Sequence, residues 1–175
     1  MTKALRLFAC SGAFMTVLML AWPGTAGATE IYANGGRYFS AYGPGQYWHY
    51  DWGEGYCGKY GAWCSPRHFQ WTYNNPYGNY PVNHARWSIQ PVGYYSQAYA
   101  FIPRRNATTR NAPYTVSYGY VSTNTSYVDQ YVYYDQWVPL AWGQRLYRIS
   151  SVALNDLTFE SGWRRIAFDE IKIEN

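Results

Sequence analysis

Charge is sparse in this chain, leucine is rare beyond the first twenty residues, and cysteine occurs only three times. Asp, Glu, Lys and Arg together make up 14% of the 175 residues, and their balance is only +4. A surplus that small does not suit nucleic acid or an anionic membrane surface as a partner. The Gly-x-Ser-x-Gly elbow of a nucleophilic hydrolase is missing, as are a phosphate-binding loop and a dinucleotide fingerprint. His49, His68 and His84 are scattered, with no Cys-x-x-Cys or paired-histidine spacing nearby, so neither a metal site nor any other cofactor is expected. Glycoside hydrolysis needs two carboxylates across a cleft. Outside the last strand the nearest acidic pair is Asp51 and Glu54, on a glycine-flanked loop where solvation explains both. No catalytic residues are assigned, and the expectation is a protein that is not an enzyme.

Long apolar runs are also lacking. The best candidate, residues 7–22, is broken by Ser11, Gly12 and Thr16 and is shorter than the ~20 apolar residues a membrane helix needs. With Lys3 and Arg6 before it and Ala26-Gly27-Ala28 after it, the stretch reads as a secretory leader cut after Ala28. A lipoprotein box is not indicated, because Cys10 precedes the apolar region instead of following it. Loss of residues 1–28 leaves 147 residues and lowers the charge from +4 to +2, because Lys3 and Arg6 leave with the leader. The mature protein is expected outside the cell or on its surface, as one domain with no membrane span.

Cys10 leaves with the leader, so Cys57 and Cys64 are the remaining thiols. In an oxidising compartment they are expected to form a disulfide closing a short loop, worth ~2–3 kcal/mol on a chain-entropy account.

Aromatics fill the place of leucine: Phe, Trp and Tyr make up 21% of the chain. Beyond residue 30 no window sustains helical spacing of apolar residues without Gly, Pro or Asn, whereas short alternating runs recur between turn residues. Tyr95, Gln97, Tyr99 and Phe101 alternate before Pro103, and Tyr114, Val116, Tyr118 and Tyr120 alternate after Pro113. This predicts an all-β fold, a single β-sandwich or jelly roll. Residues 29–68 are dense in Gly, Tyr and Trp and read as a loop-rich, disulfide-bonded N-terminal segment with short edge strands, packed on a sandwich over 69–175. In the closing run, Ile166 and Phe168 lie on one phase and Ile171 and Ile173 on the other, so a β-bulge near Asp169 or burial of both faces is expected.

Five stretches are similar in order to one family: "FQWTYNN" with "HARWSIQP", then "GYYSQAYAFIP", "NATTRNAPYTVSYG", "YYDQWVPLAWG" and "RRIAFDEIKI". Over residues 69–173 the chain resembles the golvesin C-terminal-like domain, also called the golvesin and xanthan-lyase carbohydrate-binding-like domain. The resemblance implies a galactose-binding-like β-sandwich, a bacterial cell-envelope setting and glycan binding. It also sets up a discrepancy. Family members place small aliphatic residues on the inward phase of the strand after the Gly-Tyr pair, where this chain has Gln97, Tyr99 and Phe101. In a bacterium the Asn106-Ala107-Thr108 and Asn124-Thr125-Ser126 acceptor patterns are chance matches.

Candidate ligand-binding residues follow from ring chemistry, since Trp and Tyr offer broad apolar faces with polar edges. Tyr47, Trp48, Trp52 and Trp63 crowd the N-terminal segment and are candidates for a sugar-stacking platform. Trp48 and Trp52 divide between that role and core packing, whereas Trp71, Trp87 and Trp137 are expected in the core or on a sheet edge. Arg104, Arg105 and Arg110 flank a turn and are candidates for gripping an acidic glycan. The leading expectation is a secreted module that binds cell-envelope or extracellular polysaccharide. The alternative is a structural or adhesive protein acting on an envelope protein partner through tyrosine-rich surfaces. A single-stranded nucleic acid is disfavoured by export and low charge.

Overall fold

A computed structural model describes residues 29–61, 64, 66–90, 96–142 and 148–175; the expected leader and Trp63 lie outside the described residues. The fold is all-β. In chain order it comprises β1 (Thr29–Tyr32), β2 (Phe39–Tyr42), β3 (His49–Trp52), a one-turn helix α1 (Gly55–Lys59), β4 (His68–Tyr73), β5 (His84–Ser88) and β6 (Gln97–Ile102). These are followed by β7 (Ala112–Tyr118), β8 (Ser122–Val128), β9 (Gln136–Trp142), β10 (Ile149–Asn155), β11 (Arg165–Phe168) and β12 (Ile171–Glu174). Three antiparallel sheets result, ordered β1-β12-β6-β9, β2-β5-β10-β7-β8 and β11-β4-β3. Residues 29–68 supply one outer strand to each sheet, through β1, β2 and β3. No helix among the described residues is long and apolar enough to cross a membrane.

Strand alternation builds the core in layers. Val152 on β10 faces Trp87 on one neighbour and Val116 on the other, and Leu154 faces Ala85 and Tyr114 in the same way. All six are buried. Tyr114 is fully buried yet satisfied, because its hydroxyl accepts a hydrogen bond from Gln130 Nε2 at 3.0 Å. That partner removes most of the cost of enclosing a phenol.

On β6 the inward phase is Ala98, Ala100 and Ile102, which meet Ile173 and Ile171 of β12. The inward residues are therefore small and aliphatic, and the discrepancy set up by Gln97, Tyr99 and Phe101 disappears. Those three occupy the other phase, where Phe101 is covered by Tyr56 of α1 at 5.3 Å between ring centroids and by Trp137 at 5.3 Å. Large rings misled the phase assignment because α1 buries the outer face of this strand as well.

The phase change in the last run has a topological cause. The chain leaves the β11-β4-β3 sheet after Phe168 and enters the β1-β12 sheet at Ile171, with Asp169 and Glu170 at the joint. All six residues from 166 to 171 are buried. Asp169 accepts from the Tyr56 amide of α1 (3.3 Å to Oδ2), so a remote carboxylate caps the helix that Glu54 leaves uncapped. Gly55 permits this approach. Its φ is +75°, and a Cβ there would lie 2.5 Å from Asp169 Oδ2.

The Cys57–Cys64 disulfide (Cα–Cα 5.3 Å) ties α1 to the entry of β4, as the cysteine arithmetic predicted. Its reduction is expected to cost ~2–3 kcal/mol, read as a fall in melting temperature with dithiothreitol that a Cys57→Ser/Cys64→Ser variant reproduces without reductant.

Glu170 lies under the same helix. Its carboxyl oxygens face the amides of Asn34, Tyr56 and Cys57 without closing a hydrogen bond among the described residues. Burial pushes its pKa up to about 8, against partial relief from those amides. A raised folded-state value means the native state holds a proton that the unfolded chain has released. Stability from this group is thus full below the ordinary glutamate range and is lost as pH rises toward 8, by ~1.4 kcal/mol per unit. Denaturation of wild type and Glu170→Gln from pH 5 to pH 8 is expected to show the stability difference moving steadily in the variant's favour.

Candidate functional site: an aromatic cleft beside an arginine groove

The β11-β4-β3 sheet exposes one face, and its registers dictate what that face carries. His49 pairs with Trp71, and Tyr73 with Arg165. His49 stacks on Trp71 (4.1 Å, 19°), Trp71 meets Tyr73 edge-on (5.4 Å), and Tyr73 meets Trp163 edge-on (5.9 Å). The Arg165 guanidinium lies 5.3 Å from the Trp71 ring centre and 6.0 Å from that of Tyr73. These ring contacts help hold the orientation of the row, with Trp71 also packed against the core.

This row forms one wall of a cleft of about 640 Å³, lined by Tyr47, His49, Tyr73 and Trp163 and by the polar side chains of Asn74, Asn75, Asn83 and Asp156. Trp163 is 64% exposed and Tyr47 50%, so their faces are available to a ligand.

Polar residues at the base of the cleft fix its shape. Asp156 is buried and accepts from the amides of Val82 (2.9 Å) and Asn83 (2.7 Å). Burial raises its pKa, opposed by those two bonds. Asn74 donates to Thr158 Oγ1 (3.1 Å) and accepts from the Arg164 amide (2.7 Å), which pins the turn presenting Trp163. Asn83 is almost fully buried, yet neither its side-chain oxygen nor its nitrogen has a partner among the described residues. Gly43 closes over it at φ +109°, where a Cβ would come within 2.3 Å of the Val82 carbonyl oxygen. An unpaired buried amide lining a cleft is costly unless a ligand or water completes its bonding.

Tyr73 and Trp163 also line a second groove, of about 510 Å³, with Thr108, Arg110, Tyr131, Arg164 and Arg165. Arg110 lies over the Tyr131 ring (4.7 Å) and pairs loosely with Asp129 (3.6 Å).

The structure distributes the predicted binding residues unevenly. Tyr47 enters the cleft and Arg110 the neighbouring groove. Trp48 does not form a platform: it is buried with its ring edge-on to Phe168 at 4.9 Å, because it packs under the strand that crosses between sheets. Trp52 is exposed but lies on the opposite face of β3, tilted over His68 at 4.5 Å. Burial lowers the pKa of that histidine. Trp63 lies outside the described residues. Arg104 and Arg105 sit on the α1 side, where the Arg104 amide donates to Asp135 (3.0 Å) and the Arg105 guanidinium faces Glu54 (3.7 Å). The sequence does not single out Tyr73, Asn75, Asn83, Asp156, Trp163, Arg164 or Arg165, which three separate chain segments bring together. One local sign existed: Trp163 follows a glycine turn and directly precedes two arginines.

No family model and no curated protein matches the sequence. Among solved structures, a xanthan lyase from Paenibacillus superposes with a TM-score of 0.58 at 13% identity, over 84% of this chain and 13% of that one. The likeness is one of fold alone. This chain thus corresponds to about an eighth of the lyase's length, and what they share is a strand arrangement found in a carbohydrate-active protein.

The placement of the two tryptophans is directly testable. Trp48→Ala is expected to destabilise the protein by ~3–5 kcal/mol, as for a buried indole. Trp52→Ala should stay within about 0.5 kcal/mol of wild type. Chemical denaturation of the two variants side by side checks both values.

Proposed function

We propose that this protein is an exported, non-catalytic module that binds cell-envelope or extracellular polysaccharide, in the manner implied by its resemblance to golvesin-like domains. The observation that carries the reading is the cleft itself. Exposed faces of Tyr47, Tyr73 and Trp163 stand around buried amide and carboxyl groups from Asn83 and Asp156. Pyranose rings present C–H faces to aromatic rings and hydroxyls to amides and carboxylates, so the two surface types are complementary. The cleft volume of about 640 Å³ falls within the ~300–1,000 Å³ typical of small-ligand sites. The fold shared with a region of a xanthan lyase supports a carbohydrate-related setting. The leader expected over residues 1–28 and the disulfide support export.

Binding without catalysis fits the chemistry of the cleft. Asp156, the one carboxylate lining it among the described residues, accepts from two backbone amides, and the nearby Glu160 carboxylate accepts from the Thr109 hydroxyl and the Arg110 amide. That both are engaged by neighbouring donors supports the non-catalytic reading.

A structural or adhesive role is the second reading, favoured by Tyr120, Val121 and Tyr127, all strongly exposed on and around β8. A concentration-dependent rise in particle size, abolished by Tyr127→Ser, would support it.

The saccharide reading is checked with Trp163→Ala and Tyr73→Ala. Each is expected to weaken retention in affinity electrophoresis on polysaccharide gels by about tenfold or more, the scale of one lost stacking contact. Both should keep their circular dichroism spectra. Trp52→Ala is expected to bind as wild type, since that ring lies off the cleft.

A further inference from the structure

We propose, building on the saccharide reading above, that the glycan is acidic: a uronate-bearing chain whose sugar ring stacks in the aromatic cleft while a carboxylate sits in the arginine groove beside it. Tyr73 and Trp163 belong to both walls, so cleft and groove form one continuous surface. A sugar stacked on Trp163 has its substituents within reach of Arg110, Arg164 and Arg165.

The charges in that groove are poorly neutralised from within. Arg165 rests on the Trp71 and Tyr73 rings and donates from Nη1 to the neutral Asn106 Oδ1 at 2.9 Å. Its guanidinium is therefore oriented by neutral groups and makes no ion pair among the described residues, the Asp51 carboxylate reaching it only through the shared Asn106 side chain. Arg164 makes no ion pair among the described residues. Arg110 meets Asp129 only at 3.6 Å, between side chains that are 61% and 32% exposed, which makes that pair weak and exchangeable. Glu160, another nearby acid, directs one oxygen to the Thr109 hydroxyl and the other to the Arg110 amide.

Guanidinium groups present a planar fork that matches a carboxylate with two parallel hydrogen bonds. A neutral glycan would leave all three arginines unused next to its stacking site. The overall charge of the chain is too small to gather polyanions by its general field. Selection for acid must therefore come from these local contacts and should be specific to carboxylates placed beside a stacked ring.

The test uses three polyuronates of different linkage, polygalacturonate, alginate and hyaluronate, each paired with its methyl ester. Ester and acid share a backbone and differ in charge. For at least one pair the acid form is expected to bind about tenfold tighter than the ester in dilute buffer. That preference should fade by about 0.5 M salt, where screening shortens to a few ångströms. The doubly substituted R110Q/R164Q protein, changed only at exposed side chains, should lose the preference while keeping the residual ester binding that W163A removes. Equal binding of acid and ester, or a preference unchanged in R110Q/R164Q and in high salt, overturns the acidic assignment and leaves saccharide binding intact. Failure of every polymer to bind overturns both readings. Equal or tighter binding of a single-stranded oligonucleotide at the same site also overturns the assignment, in favour of a general polyanion surface. The salt series needs no variant, so the inference stays testable if R110Q/R164Q does not fold.

Discussion

A single buried strand run that serves two sheets holds this molecule together. Residues 166–171 enter as β11, complete the sheet that carries the cleft, and leave as the start of β12 in another sheet. Because the run is enclosed on both faces, its polar joint at Asp169 and Glu170 is buried and depends on neighbouring protein groups for partners, which the Glu170 carboxyl lacks among the described residues. Asp169 finds the end of α1, and Gly55 is the residue that allows the helix to come so close. The disulfide anchors the same helix on its other side. The N-terminal segment is thus stapled within itself by the disulfide and fixed to the rest of the domain by a capped helix and three edge strands.

That arrangement explains the heavy use of aromatic residues. A sandwich with little leucine fills its layers with rings: Trp87 and Tyr114 in one sheet, Phe168 and Trp48 where the sheets meet. Some of the rings left outside it gather on the exposed face of β11-β4-β3, where ring-to-ring contacts order them. The same packing preference therefore yields a core in one place and a stacking surface in another. Asn74 links the two, since it is buried at the sheet end and holds the turn bearing Trp163. Arg165 is similarly shared, paired with Tyr73 in the strand register and lying over the rings that face solvent.

The cleft and groove combine shape, ring faces and charge in a way that a flat sheet surface does not. Asn83 is held unsatisfied beneath Gly43, and three arginines lie beside Trp163 with little internal compensation. Leaving polar groups incompletely paired costs stability, and that cost is what the polar, ring-shaped, anionic ligand proposed above would relieve.

The sequence by itself determined the all-β class and the disulfide, because both follow from local rules: alternation with a period of two, and a pair of thiols with no competitor. It also placed Tyr47 and Arg110 among the binding candidates. The roles of Trp48 and Trp52 stayed open, since neighbouring tryptophans in a glycine-rich stretch look alike until a strand is laid beneath one of them. The inward phase of β6 was misread because α1 covers the outer phase with rings, and no local pattern announces a helix docked from forty residues upstream. Asn83 is far in the chain from Asp156 and Trp163, and they converge only because β5 pairs with β10, setting Asn83 beside Asp156, while Asn74 at the end of β4 holds the turn that bears Trp163. Periodicity reports what each strand prefers to bury; which surfaces meet to form a concave site is settled by long-range register, and that was decided by the tertiary structure alone.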